Sequence, residues 1–123
     1  MQTVFVVEDA PLVRERLIEM LDATPGTQVV GAAARADQAI RGILEERPDV
    51  VLLDLRLAQG SGLDVLRAVH EIAPEITFYM LTNFASEPYR QLAARLGAQD
   101  FFDKSSEFER VRDIIAARSA TMH

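Results

Sequence analysis

The sequence predicts an α/β fold: a doubly wound (βα)5 chain with a five-stranded parallel sheet covered by helices on both faces. Three observations carry this prediction. Five short apolar or β-branched runs recur along the chain, stretches with apolar residues at helical spacing separate them, and turn or cap residues mark most junctions.

The first strand covers residues 3–7, where Val4, Phe5, Val6 and Val7 suit burial on both faces. A helix from about 11 to 23 follows, with Leu12, Val13, Leu17, Met20 and Leu21 as its apolar stripe and Pro25-Gly26 as its stop. Thr27–Ala33 reads as the second strand. Asp37 is expected to cap the second helix, whose buried stripe is Ala39, Ile40, Ile43 and Leu44, with Pro48 beyond its end. Val50–Leu53 is a short, wholly apolar third strand. After Gly60-Ser61-Gly62 comes a third helix with Leu63, Leu66 and Val69 on one face. Residues 76–81 form the fourth strand. Ser86 is expected to cap a fourth helix carrying Leu92, Ala93 and Leu96 and closed by Gly97. Residues 98–102 form the fifth strand, and the last helix carries Phe108, Val111, Ile114 and Ile115.

Length and composition narrow the function. A chain of 123 residues suits one domain with one core, here residues 1–123. A net charge of −6 argues against a nucleic-acid surface, which needs a basic patch. The absence of cysteine removes disulfides, thiolate chemistry and cysteine zinc sites. No apolar run approaches the ~20 residues of a membrane span, and the chain enters a strand at once, without the pattern of a signal peptide. The expected compartment is the cytoplasm.

In a sheet of this kind ligands bind beyond the carboxyl ends of the strands. Strand one runs into Glu8-Asp9, two like charges side by side. Either Asp9 caps the helix that Pro11 begins, or the pair serves a bound cation. Strand three ends in Asp54, strand four in Thr82 and strand five in Lys104. Any one of these reads as an ordinary turn residue, but four strands delivering polar groups to one edge make a site. Glu8, Asp9 and Asp54 form a cluster of hard oxygen donors, with His70 and His123 elsewhere, and such a set suits Mg²⁺. Lys104 and Thr82 add a positive charge and a hydroxyl that could neutralise a phosphoryl group carried on a carboxylate.

The chain resembles the receiver domain of two-component response regulators over its whole length. The resemblance rests on VVED, VVLLDLRL, GSGLDVL, FYMLT and DFFDK, in order, with Thr82 28 residues and Lys104 50 residues after Asp54. It implies a flavodoxin-like receiver fold and a role in two-component phosphorelay signalling rather than catalysis on a separate substrate. It implies that Asp54 accepts a phosphoryl group from a histidine kinase or phosphotransfer protein. Glu8, Asp9, Asp54 and the backbone carbonyl of Arg56 would hold Mg²⁺, and Thr82 and Lys104 would bind the phosphoryl oxygens. Phe101 stands where the family keeps its switch aromatic. The acidic pair would then tolerate itself because a cation sits between it and Asp54.

The chain departs from the family pattern at three points. Ala58 replaces a usual proline, Ser105 follows the lysine where proline is common, and Asn83 follows Thr82 where a small residue is common. Without proline the Lys104–Ser105 bond is expected to be trans, since a cis bond there costs ~2.5–4 kcal/mol. Arg56 and Phe84, two residues beyond Asp54 and Thr82, are expected to hinder an attacking water and lengthen the phosphoryl lifetime. The output surface is expected on helix four, strand five and helix five, with Tyr89, Arg90, Arg95 and Arg112 as exposed contacts. Because the sequence stops after helix five, its output is expected to be contact with a downstream protein or a second copy of itself, without direct DNA binding. The alternative is a receiver-like binding module that no longer takes phosphate. A Mg²⁺-dependent aspartate phosphatase would need an acid two residues after Asp54, where Arg56 stands, and a flavin carrier would need a phosphate loop in place of the acidic EDAPLVR.

Overall fold

The computed structural model describes residues 1–83 and 87–121. Ten elements alternate: β1 (Gln2–Val7), α1 (Pro11–Asp22), β2 (Thr27–Ala33), α2 (Ala36–Glu46), β3 (Val50–Leu53), α3 (Gly62–Ile72), β4 (Thr77–Thr82), α4 (Glu87–Leu96), β5 (Asp100–Asp103) and α5 (Phe108–Ala120). The strands form one parallel sheet in the order β2-β1-β3-β4-β5. This is the α/β, (βα)5 architecture that the sequence predicts.

Side chains of a strand alternate between faces, so each apolar strand feeds two cores. Phe5, Val7, Val51, Leu53, Phe78 and Met80 face α2, α3 and α4, where Ala39, Ile43, Val65, Leu66, Val69 and Ala93 are buried. Val4, Val6, Val50, Leu52, Leu81 and Phe102 face α1 and α5, against Leu17, Leu21, Val111 and Ile115.

Local details differ from expectation where caps and boundaries are concerned. Leu12 is 76% exposed, because the buried stripe of α1 runs through Leu17 and Leu21 and Leu12 lies off it. Ala10 holds the N-cap of α1 with Pro11 in its first turn, so Asp9 stands one residue too early to cap. Arg35 holds the N-cap of α2, and Asp37 lies in the first turn, paired with Arg35 at 2.9 Å. There its carboxylate is held below its ordinary range, first by the Gln38 amide and then by Arg35. Strand β4 starts one residue later than expected, so Thr82 closes the strand itself; β5 starts two residues later and takes in Asp103. Ser61 caps α3 by accepting from the Leu63 amide. The cap assigned to Ser86 lies outside the described residues. Gly97 ends α4 with φ +112°, a backbone that L side chains rarely adopt.

Candidate functional site

Sheet register builds the site. Val7 pairs with Leu53, so the next residues, Glu8 and Asp54, leave adjacent strands side by side. The Asp54 amide donates to the Val7 carbonyl at 3.0 Å. The chain reverses its direction of travel across the sheet between β1 and β3, which opens a crevice at their carboxyl ends. On the other side Thr82 pairs with Asp103, and the Lys104 amide donates to the Thr82 carbonyl at 2.9 Å. Glu8, Asp54 and Thr82 are buried.

The Lys104 ammonium binds two carboxylates at once, Glu8 Oε1 at 2.6 Å and Asp54 Oδ2 at 2.7 Å. Glu8 also accepts from the Ala10 amide through Oε2 and from Arg14 through its backbone carbonyl. Asp54 Oδ1 is buried and has no hydrogen-bond partner. Burial pushes the Glu8 carboxyl above its ordinary range, and the neighbouring Asp54 adds to this against the pull of Lys104 and the Ala10 amide. Burial also works against the Lys104 ammonium, but Asp54 and Glu8 together outweigh it and hold its pKa above the usual lysine value. Both directions fit one picture: the Lys104 ammonium is held charged by its two partners, while burial outweighs what the Glu8 carboxylate receives in return.

Glu8, Asp9 and Asp54 each offer a carboxylate oxygen within 4.8 Å of the others. Three carboxylates against one ammonium leave an acidic excess in a largely buried place, with one oxygen unpartnered. A hard divalent cation fits that donor set. Arg56 is exposed, and its backbone is pinned by a bridge to Ser61. The same turn packs Gly62 against Asp54 so closely that a Cβ would meet the Asp54 carbonyl oxygen at 2.0 Å. His70 packs beside Gly97, while His123 and Phe84 lie outside the described residues. Asn83 is exposed.

The loop carrying Lys104 has no proline, and its peptide bonds are trans. It is held instead by Asp103, whose Oδ1 accepts from the Ser105 amide at 2.8 Å, the Ser105 hydroxyl at 2.6 Å and the Ser106 amide at 3.2 Å. Glu107 Oε1 accepts from the Asp103 amide at 3.0 Å. Asp103 and Glu107 stand outside the set of residues expected from the sequence, although Asp-Lys-Ser-Ser is a legible side-chain-capped turn.

Among the surface residues expected on α4 and α5, Tyr89, Arg95 and Arg112 are exposed, but Arg90 is half-buried and bonded internally. It touches Phe101, which is 5% exposed in the core.

Residues 4–116 match the family model of the response regulator receiver domain. The chain belongs to that family. It is 34% identical over 123 residues to the DNA-binding transcriptional activator DevR/DosR of Mycobacterium tuberculosis, covering 97% of this chain and 57% of that protein. It is 32% identical over 104 residues to a protein-glutamate methylesterase/protein-glutamine glutaminase of Geobacter sulfurreducens, covering 85% of this chain and 28% of that protein. The chain thus spans only part of these relatives' length. Among solved structures, a LuxR-family two-component response regulator from Aurantimonas superposes with TM-score 0.88 at 29% identity, over 96% of this chain and 84% of the other. The receiver domain of the response regulator NarL from M. tuberculosis does so with TM-score 0.88 at 26% identity, over 98% of both. Receiver domains are signalling domains of two-component systems, and the acidic cluster of this one suits the family's Mg²⁺ pocket. None of the helices among the described residues is long and apolar enough to cross a membrane.

Proposed function

We propose that residues 1–123 act as one phosphorylatable receiver, with Asp54 as phosphoacceptor. The observation that supports this best is the unpartnered Oδ1 of Asp54, on a carboxylate that lies beside Glu8 and Asp9 and whose other oxygen, Oδ2, holds the Lys104 ammonium. Glu8, Asp9, Asp54 and the Arg56 carbonyl are the residues that would hold Mg²⁺. The ion, when bound, offsets the charge of the acidic cluster and of an incoming phosphoryl group.

An oxygen of Asp54 attacks the phosphorus of a phosphohistidine on a histidine kinase or phosphotransfer protein. An O–P bond forms, the N–P bond breaks, and the imidazole leaves with the bonding pair. Lys104 exchanges its contact with the Asp54 carboxylate for a phosphoryl oxygen, and the Thr82 hydroxyl donates to another. The register of Thr82 with Asp103 links this change to β5 and so to Phe101, the proposed switch aromatic. The readout is the α4–β5–α5 face, met by a downstream protein or a second copy of the chain, with no direct contact to DNA or membrane by this domain and a cytoplasmic setting.

Intact-mass spectrometry after incubation with Mg²⁺ and acetyl phosphate tests the reading. The parent is expected to gain one phosphoryl mass and Asp54→Ala none. No gain by a folded parent would instead favour a phosphate-independent binding module.

A further inference from the structure

Arg90 joins three elements through one side chain. It rises from α4, and its Nη1 donates to the carbonyl of Phe101 on β5 at 2.8 Å. Its Cζ lies 5.2 Å from the centre of the Phe101 ring. Its Nη2 meets Glu107 Oε1 at 3.4 Å, and that same oxygen accepts from the amide of Asp103, the residue before Lys104. Glu107 is held from its other side by Arg110 at 2.7 Å. Ala93 is the one fully buried residue of α4 among the described residues, with Leu96 partly buried against the same core.

We infer that Arg90 is a positioning residue that latches Phe101 inward and ties α4 to the loop bearing Lys104. A guanidinium over a ring face attracts it, and the hydrogen bond to the Phe101 carbonyl fixes that residue's backbone as well. The latch shares Glu107 with the Asp103 amide. A shift of Lys104 therefore pulls on the atom that also holds Arg90, and the output surface loosens as the site changes. This rests on the receiver reading for what moves Lys104, but the latch itself exists without phosphate.

The test is ¹⁹F NMR of protein carrying fluorophenylalanine at its 6 phenylalanines, with Phe101 assigned by Phe101→Leu. A soluble gadolinium chelate reports how far each ring reaches solvent. In unphosphorylated Arg90→Met, the Phe101 signal is expected to gain chelate-induced relaxation, with the outward ring population rising roughly tenfold from loss of the cation–π contact and a charged hydrogen bond. The other signals keep their parent values. Arg90→Lys, which retains the charge without the fork, is expected to fall between. Unchanged Phe101 relaxation in Arg90→Met overturns the latch. So does a change spread over all six rings in both variants, which marks a general packing contact. Acetyl phosphate with Mg²⁺ on the parent reports the receiver reading separately, because the Phe101 comparison needs no phosphoryl group.

Discussion

The ammonium of Lys104 lies 2.6 Å from Glu8 Oε1, across 96 positions of sequence. That contact closes β1 to β5 over the ends of β3 and β4 and places a cation where the chain has concentrated acid. It also makes the site's charge balance depend on residues from opposite ends of the chain.

Removing the cation exposes that dependence. Lys104→Met leaves Glu8 and Asp54 buried without their partner and is expected to lower stability by about 2–4 kcal/mol in metal-free urea unfolding. Added Mg²⁺ is expected to raise the melting temperature of the parent, by roughly 3–6 °C at tenfold excess over its dissociation constant. Asp9→Asn is expected to lose most of this rise. A parent indifferent to Mg²⁺ in thermal scans contradicts the assigned metal ligands.

Acid should unlock the Lys104 loop. Asp103 is held below its ordinary value of 3.8, first by the Ser105 hydroxyl. Glu107 is held below 4.5, first by the Asp103 amide. Both are depressed in the folded state, so their stabilisation is present above the ordinary values and is lost as pH falls through the depressed ones. Stability of Asp103→Asn is expected to fall less steeply than that of the parent as pH drops through the ordinary aspartate value of 3.8 and below. Parallel pH profiles for the two proteins would remove Asp103 as the loop's anchor.

Gly62→Ala is expected to damage the site from outside it. The added Cβ would stand 2.0 Å from the Asp54 carbonyl oxygen, and backbone must shift to admit it. A loss of about 1–3 kcal/mol is expected, together with slower phosphoryl uptake from acetyl phosphate. Unaltered uptake would mean that the turn absorbs the change without moving Asp54.

Gly42→Ala sets helix propensity against packing. Propensity alone favours alanine by about 1 kcal/mol. The new Cβ, however, would come within 2.7 Å of the Phe5 ring, which is 3% exposed and also lies close against Gly31. Net destabilisation is expected, and a raised denaturation midpoint would refute this packing account.

The double variant Arg56→Ala, Phe84→Ala is expected to lose its phosphoryl group faster than the parent, since both side chains follow the strand ends that carry the site. Decay of the phosphorylated mass with time reads this directly, and equal rates end the idea.

Much of this molecule was legible in the chain alone. Periods of two and of 3.6 are local properties, so strands, helices and their alternation follow from nearby residues. A parallel α/β sheet brings its strand ends to one edge, so Glu8, Asp9, Asp54, Thr82 and Lys104 were legible as neighbours before any coordinate. Caps and boundaries were less so. Asp37 and Asp9 carry good capping side chains, but backbone geometry gave those places to Arg35 and Ala10. Arg90 looked like surface charge, and only packing turned it onto Phe101 and Glu107. Gly62 looked like a turn residue until the loop folded back on Asp54. The fold, and the meeting of Glu8, Asp9, Asp54 and Lys104 at one edge of it, follow from local periodicity and strand polarity. Tertiary structure alone decided which oxygen Lys104 leaves unpartnered, what holds its loop without proline and what holds Phe101 inward, because those contacts join residues whose proximity no local pattern encodes.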